Sequence, residues 1–147
     1  GYTNDPAVIR QNRKMVSVNT TLQVDLTGQC ASESIGTLQL SGTGGQTETA
    51  SGARQSEGGK SIIALHSTAN VKNAAGERER VSTIVPTQPA GMAISLMRAD
   101  VDFVVTEYGV ASLRGASVRD RAMELISIAH PDYRDQLMYD AKRLYLM

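Results

Sequence analysis

Ser61-Ile62-Ile63-Ala64-Leu65-His66-Ser67 carries the clearest sign of the fold. It is a short apolar run, preceded by Gly58-Gly59 and followed by polar sequence, so turn signals bound it. Such a run reads as a strand buried inside a sheet. Asp102-Phe103-Val104-Val105-Thr106 repeats the pattern and stops at Glu107-Tyr108-Gly109. In it Phe103 and Val105 alternate with Val104 and Thr106, all four apolar or β-branched, so the strand is expected to be covered on both faces.

Working outward, Met15 to Leu26 alternates with period two and is rich in β-branched residues, which predicts one strand ended by Gly28. Gly36 to Leu40 is a second short strand candidate, and Ala50 to Ser56 a short helix closed by Gly58-Gly59. Residues 70 to 80, with Glu77-Arg78-Glu79-Arg80, read as an exposed loop. Val81–Val85 and Met92–Leu96 are expected to pair as strands through Pro86, Pro89 and Gly91. Near the start, Asp5 can cap a short helix that opens with Pro6.

Two helices are predicted at the other end. Ser117 with Asp120 opens the first, whose stripe is Val118, Ala122, Leu125, Ile126 and Ala129. His130-Pro131 breaks it, and the second presents Tyr133, Leu137, Ala141 and Leu144. Buried strands mixed with helices imply a layered α/β domain, an open sheet with flanking helices.

The 147 residues suffice for one domain with a core. Fifteen basic and fifteen acidic residues cancel, so no global field draws in nucleic acid or a membrane surface, and neither partner is expected. Any anion must be held locally. Cys30 stands alone, which rules out an intrachain disulfide and fits a reducing cytoplasm. With no Trp and only Phe103, the core must be aliphatic, with Met92 and Met97 as filling. The chain opens Gly1-Tyr2-Thr3-Asn4-Asp5-Pro6 without Met, as expected of a fragment or processed product.

Two features could carry chemistry. Ser41-Gly42-Thr43-Gly44-Gly45-Gln46 puts three glycines in four positions after a strand. That lets the backbone approach a ligand and offer N–H groups to a phosphate or an oxyanion; it equally suits a plain bend. It fits neither the dinucleotide fingerprint nor the P-loop. Glu107 ends a buried strand, where α/β sheets collect ligands, and could orient a reacting group. It could as well cap a turn or pair with Arg114. His66 has the position of a satisfied core histidine, and His130 that of a cap on backbone carbonyls. No cluster has metal-ligand spacing.

Taken together, several stretches resemble one family. They are Asn4-Asp5-Pro6, Met15-Val16-Ser17-Val18-Asn19, Gln23-Val24-Asp25-Leu26-Thr27-Gly28-Gln29, the glycine loop, Gly59-Lys60-Ser61-Ile62-Ile63-Ala64-Leu65, and Ile84-Val85-Pro86. Val104-Val105-Thr106-Glu107-Tyr108-Gly109-Val110-Ala111-Ser112-Leu113-Arg114-Gly115 and Ile128-Ala129-His130-Pro131-Asp132-Tyr133-Arg134 complete the set. In order and over nearly the whole length, they resemble the C-terminal domain of the acetyl-CoA hydrolase/transferase family, which includes 4-hydroxybutyrate, butyryl-CoA:acetate and succinyl-CoA:acetate CoA-transferases.

The resemblance implies a fold of the NagB/RpiA/CoA-transferase-like kind and ping-pong transfer of CoA between carboxylic acids. A glutamate attacks acyl-CoA and becomes a glutamyl-CoA thioester. That glutamate belongs to a segment upstream of Asn-Asp-Pro, so residues 1–147 are expected to be a single C-terminal domain without it. By the same resemblance Gly45 supplies the N–H for the thioester oxygen, Glu107 is a second active-site carboxylate, and Asn4 is a polar active-site residue. Ser41, Gly42, Gly44 and Gly45 line coenzyme A, which is a substrate and not a tightly bound cofactor. The implied partners are acyl-CoA, a short-chain carboxylate such as acetate, the N-terminal half of the enzyme, and further copies in a homo-oligomer. An acyl-CoA hydrolase and a non-catalytic CoA-binding or assembly module are the alternatives. After Gln46 the family continues with an acidic residue and Phe; here Thr47-Glu48-Thr49-Ala50 follows, which leaves the acyl specificity open.

Overall fold

The computed structural model describes residues 1–147. After a short 3-10 turn at Tyr2–Asn4 comes α1 (Pro6–Ile9), capped by Asp5, whose Oδ1 accepts from the Ala7 N–H at 2.8 Å. The alternating segment 15–26 forms two strands, β1 (Val16–Asn19) and β2 (Gln23–Asp25), and they belong to different sheets. The break lies at Thr20-Thr21-Leu22. There the Thr21 hydroxyl lies at hydrogen-bond distance from the carbonyls of Gln23 and Ala31, holding the chain at the corner.

Beyond Gly28, which adopts φ +99° under the Leu113 and Arg121 side chains, come β3 (Cys30–Ala31), β4 (Ser34–Ile35) and β5 (Leu38–Gln39). The glycine loop leads straight into α2 (Gln46–Gln55), which starts four residues before the expected Ala50. Then come β6 (Lys60–Ala64), β7 (Thr68–Lys72), β8 (Arg78–Ser82), β9 (Ile84–Val85), β10 (Phe103–Thr106) and β11 (Gly109–Ser112). Helices α3 (Val118–Ser127) and α4 (Pro131–Arg143) finish the chain.

The main sheet runs β1-β6-β10-β11. Strands β1, β6 and β10 are parallel, with Val18 beside Ile62 and Ile62 beside Phe103; β11 returns antiparallel, Val105 facing Val110. A second sheet, β3-β2-β9, and two hairpins, β4-β5 and β7-β8, complete the layers. Ile63, Val104 and Ala111 of the main sheet meet Ala50 of α2, Ala122 and Leu125 of α3, and Leu137 and Ala141 of α4 in one aliphatic core. No helix is long and apolar enough to cross a membrane.

Several expectations need correction. Residues 70 to 80 are not a loop but most of the β7-β8 hairpin. A two-stranded ribbon lying off the core tolerates charge on both faces, and Asn73 closes its turn by accepting from the N–H groups of Ala75 and Glu77. Residues 92–96 do not pair with 81–85. Ile84–Val85 pairs parallel with β2, while Leu96 makes only an isolated bridge to Cys30. Met97 is 58% exposed and fills no core. The 102–106 strand is covered on one face only: Val104 and Thr106 are buried, Phe103 and Val105 half-buried.

Candidate active site

Because β1, β6 and β10 are parallel, their carboxyl ends meet along one edge. Thr20 follows β1, Leu65 and His66 follow β6, and Glu107 follows β10. With Ala64 these residues line an open pocket of about 420 Å³. Helix α2 leads directly into β6 and runs back along the sheet, so its amino end lies at the same edge. There the Gln46 side-chain amide donates to the Thr20 carbonyl at 2.9 Å, and Asn19 donates to the Thr49 hydroxyl at 3.2 Å.

Gly45 is the N-cap of α2, at φ −107°, with no side chain capping the helix. The first-turn N–H groups therefore keep the positive end of the helix without a side-chain acceptor. A Cβ on Gly45 would stand 3.0 Å from the Asn4 Nδ2, so Asn4 lies directly against the loop. Gly44, at φ +61°, makes the turn into the helix, and open space surrounds it and Gly42. Ser41 is exposed; its hydroxyl donates to the Gly42 carbonyl at 3.1 Å.

The Glu107 carboxylate is held from the β6 side. The Ser67 N–H donates to both oxygens, at 3.2 and 3.0 Å, and the Ser67 hydroxyl donates to Oε1. Ser67 is fully buried, and Thr83 fixes its backbone by donating to the His66 carbonyl at 2.6 Å and the Ser67 carbonyl at 3.0 Å. Desolvation pushes the Glu107 carboxyl up, but the Ser67 hydroxyl, the backbone N–H groups and the nearby His66 together outweigh it and hold the group below the usual carboxylate range. His66 Nδ1 lies 3.9 Å from Oε2 with its side chain 94% exposed, so it is a rim residue and not a core histidine.

Arg114 does not pair with Glu107; its guanidinium lies 3.6 Å from the buried Asp102. The turn after Glu107 is anchored by Thr106, whose hydroxyl donates to the Ile128 carbonyl at 2.6 Å and accepts from the Tyr108 N–H. Tyr108 meets His130 edge-on, with centroids 5.5 Å apart, and Arg134 lies over its ring. His130 caps an N–H and not carbonyls, its Nδ1 accepting from Asp132 at 3.2 Å.

The structure thus brings Gly45 and Asn4 into contact and sets both at the edge that carries Glu107. The link between the two groups runs through Gln46 and Thr20; Gly45 and Asn4 do not line the pocket that holds Glu107. Sequence reasoning missed Ser67 and Thr20. Neither carried a signal in the sequence: Thr20 fell inside the single strand expected over 15–26, and Ser67 closed the run 61–67.

Residues 1–141 match the family described as the acetyl-CoA hydrolase/transferase C-terminal domain. The chain belongs to the acetyl-CoA hydrolase/transferase family. It is 49% identical over 144 residues to the 4-hydroxybutyrate coenzyme A transferase of Clostridium kluyveri, covering 98% of this chain and 32% of that one. RipA from Yersinia pestis has a similar structure, with TM-score 0.85 and 44% identity over 99% of this chain and 31% of that chain. A 4-hydroxybutyrate CoA-transferase from Porphyromonas gingivalis aligns at TM-score 0.69 and 41% identity, over 97% and 30%. This acetyl-CoA hydrolase/transferase chain therefore spans about a third of the length of the relatives it matches. The open sheet with helices is the architecture of their C-terminal domains.

Proposed function

We propose that this chain is the C-terminal domain, residues 1–147, of a CoA-transferase that moves CoA from an acyl-CoA to a carboxylate acceptor such as acetate. The nucleophile is a glutamate in the part of the enzyme that precedes this domain. Its carboxylate attacks the thioester carbonyl and expels CoA thiolate, leaving a mixed anhydride. The thiolate then attacks the glutamyl carbonyl, releasing the first carboxylic acid as its carboxylate and leaving a glutamyl-CoA thioester. The acceptor carboxylate reverses these steps and leaves as the new acyl-CoA.

The observation that carries this reading is the gathering of Glu107, Thr20 and the Gly45-headed helix at the carboxyl edge of three parallel strands. In an α/β sheet that edge is where ligands bind. Gly45 gives its N–H to the thioester oxygen as negative charge develops there, with the positive end of α2 behind it. Asn4 lies against that N–H donor and lines the same approach, and Ser41, Gly42 and Gly44 follow the CoA chain outward. Ser67 holds the Glu107 carboxyl below the usual carboxylate range, which favours its ionised form further. A carboxylate tuned that way is a poor proton shuttle near neutrality, which favours a positioning role for it. Coenzyme A comes and goes as substrate.

The test is an assay of the full-length enzyme for CoA transfer from acyl-CoA to acetate, with Glu107→Ala beside it. Transfer by the wild type and a strong fall in kcat in the variant are expected. Equal kcat in both would remove Glu107 from the site, and no transfer with any acyl-CoA and carboxylate pair would remove the reading.

A further inference from the structure

The two faces of the main sheet are unlike. Ser17, Ser61, Ile63, Val104, Thr106 and Ala111 are buried, and the core formed with α2, α3 and α4 lies on their side. The opposite face carries Val16, Val18, Ile62, Phe103, Val105 and Val110. Register makes it continuous: Val18 sits beside Ile62, Ile62 beside Phe103, and Val105 opposite Val110. None of these six belongs to the core or packs against it. Val16 is 49% exposed, Val18 63% and Val110 58%. Lys60, at the amino end of β6, is the one charged residue on this face.

Parallel strands are rarely left with a face to solvent, and an apolar surface spread over four adjacent strands marks an interface. We infer that this face is the docking surface for the preceding part of the same polypeptide, which lays an apolar element across it. The inference rests on the reading of this chain as a C-terminal domain.

Three observations favour that occupant. The relatives are about three times as long as the stretch they share with this chain, and the shared stretch is their C-terminal domain, so their remaining mass precedes it. The first residues here lie at the carboxyl edge, Asn4 against Gly45, so a preceding segment arrives beside the sheet at the end where its faces meet the site. The face is also apolar and nearly uncharged, like a core divided in two, which is the character of a permanent contact. A segment docked there ends next to Thr20 and Glu107, where a nucleophile has to be delivered.

The test uses the full-length enzyme with Val18→Cys, Val110→Cys and, as an exposed control on the β7-β8 hairpin, Glu79→Cys. Cys30 does not interfere, since it is fully buried and burial pushes its thiol up to about 12. Maleimide labelling of Val18→Cys and Val110→Cys roughly tenfold or more slower than of Glu79→Cys is expected. A photo-crosslinker at Val18 is expected to join a peptide upstream of residue 1 within one polypeptide. Labelling as fast as the control overturns the inference, as does a cross-link that joins two isotopically distinct copies. CoA transfer is measured on the same preparations. An active enzyme with freely labelled cysteines defeats the docking surface alone. Protected, intramolecularly cross-linked cysteines in an enzyme without transfer defeat the functional reading and leave the surface standing.

Discussion

Among single residues, Glu107 is the one whose surroundings matter most. Its carboxylate takes three hydrogen bonds from Ser67, a fully buried residue that Thr83 keeps in place. Removing the hydroxyl in Ser67→Ala leaves the N–H bonds and takes away the strongest influence that lowers the Glu107 carboxyl. Its titration, followed by carbon NMR of the labelled carboxyl, is expected to move up toward the ordinary glutamate range. The sign for stability follows. A carboxyl held low in the folded state stabilises the fold above its unfolded value, and that contribution disappears as pH falls through the lower folded value. Ser67→Ala should therefore flatten the acid limb of a stability-against-pH curve, and an unchanged limb would deny the role of Ser67. Gly45→Ala tests the other side of the site. The φ of −107° suits any residue, so the variant's cost comes from the Cβ pressing on the Asn4 amide 3.0 Å away and displacing the N–H donor. A fall in kcat/KM on the order of a hundredfold is expected in the full-length enzyme. Unchanged kcat/KM makes the loop a bend. The sequence placed Glu107 at a strand end and the glycine run ahead of a helix, while local pattern left open whether either serves a ligand and only the resemblance gave them roles. Ser67 was not legible, because a serine past a strand looks like any other until its neighbour across the sheet is known.

Among the elements, α2 decides whether the loop is aimed at the edge. It packs on α1 so closely that a Cβ on Gly52 would come within 2.6 Å of both Cβ and Cγ2 of Ile9. Alanine normally gains about 1 kcal/mol over glycine inside a helix, and here the overlap with a β-branched side chain outweighs it. Gly52→Ala should destabilise the protein by roughly 1–2 kcal/mol, read from denaturant unfolding. A stabilised variant would mean that α1 is free to move away. Strands β6 and β10 and helices α3 and α4 were readable because period and caps agreed: Ser117 accepts from the Asp120 N–H, and the stripe from Ala122 to Ala129 is buried. The β7-β8 hairpin was hidden because its charges mimic a loop. The single strand expected from 15 to 26 is two strands because the Thr21 corner depends on a carbonyl of Ala31, ten residues away.

For the whole molecule, one face of the main sheet is built into the core and the other is left apolar and outside it. The sequence pattern reached the α/β class and, through resemblance, the family. It did not reach the uncovered face, since the alternation of Phe103 and Val105 with Val104 and Thr106 looks the same whether one side is covered or both. On the proposed mechanism the isolated chain is expected to show no CoA transfer, because that mechanism draws its nucleophile from the preceding part of the enzyme; turnover by the purified 147-residue chain would contradict it. The most direct measurement is a trap on the full-length enzyme. Incubation with acyl-CoA and then borohydride should reduce the glutamyl thioester and mark one residue, located by peptide mass spectrometry. A marked glutamate upstream of residue 1 is expected, in the wild type and in Glu107→Ala alike. A mark on Glu107 itself, or no marked glutamate in an enzyme that transfers CoA, would contradict the proposed mechanism.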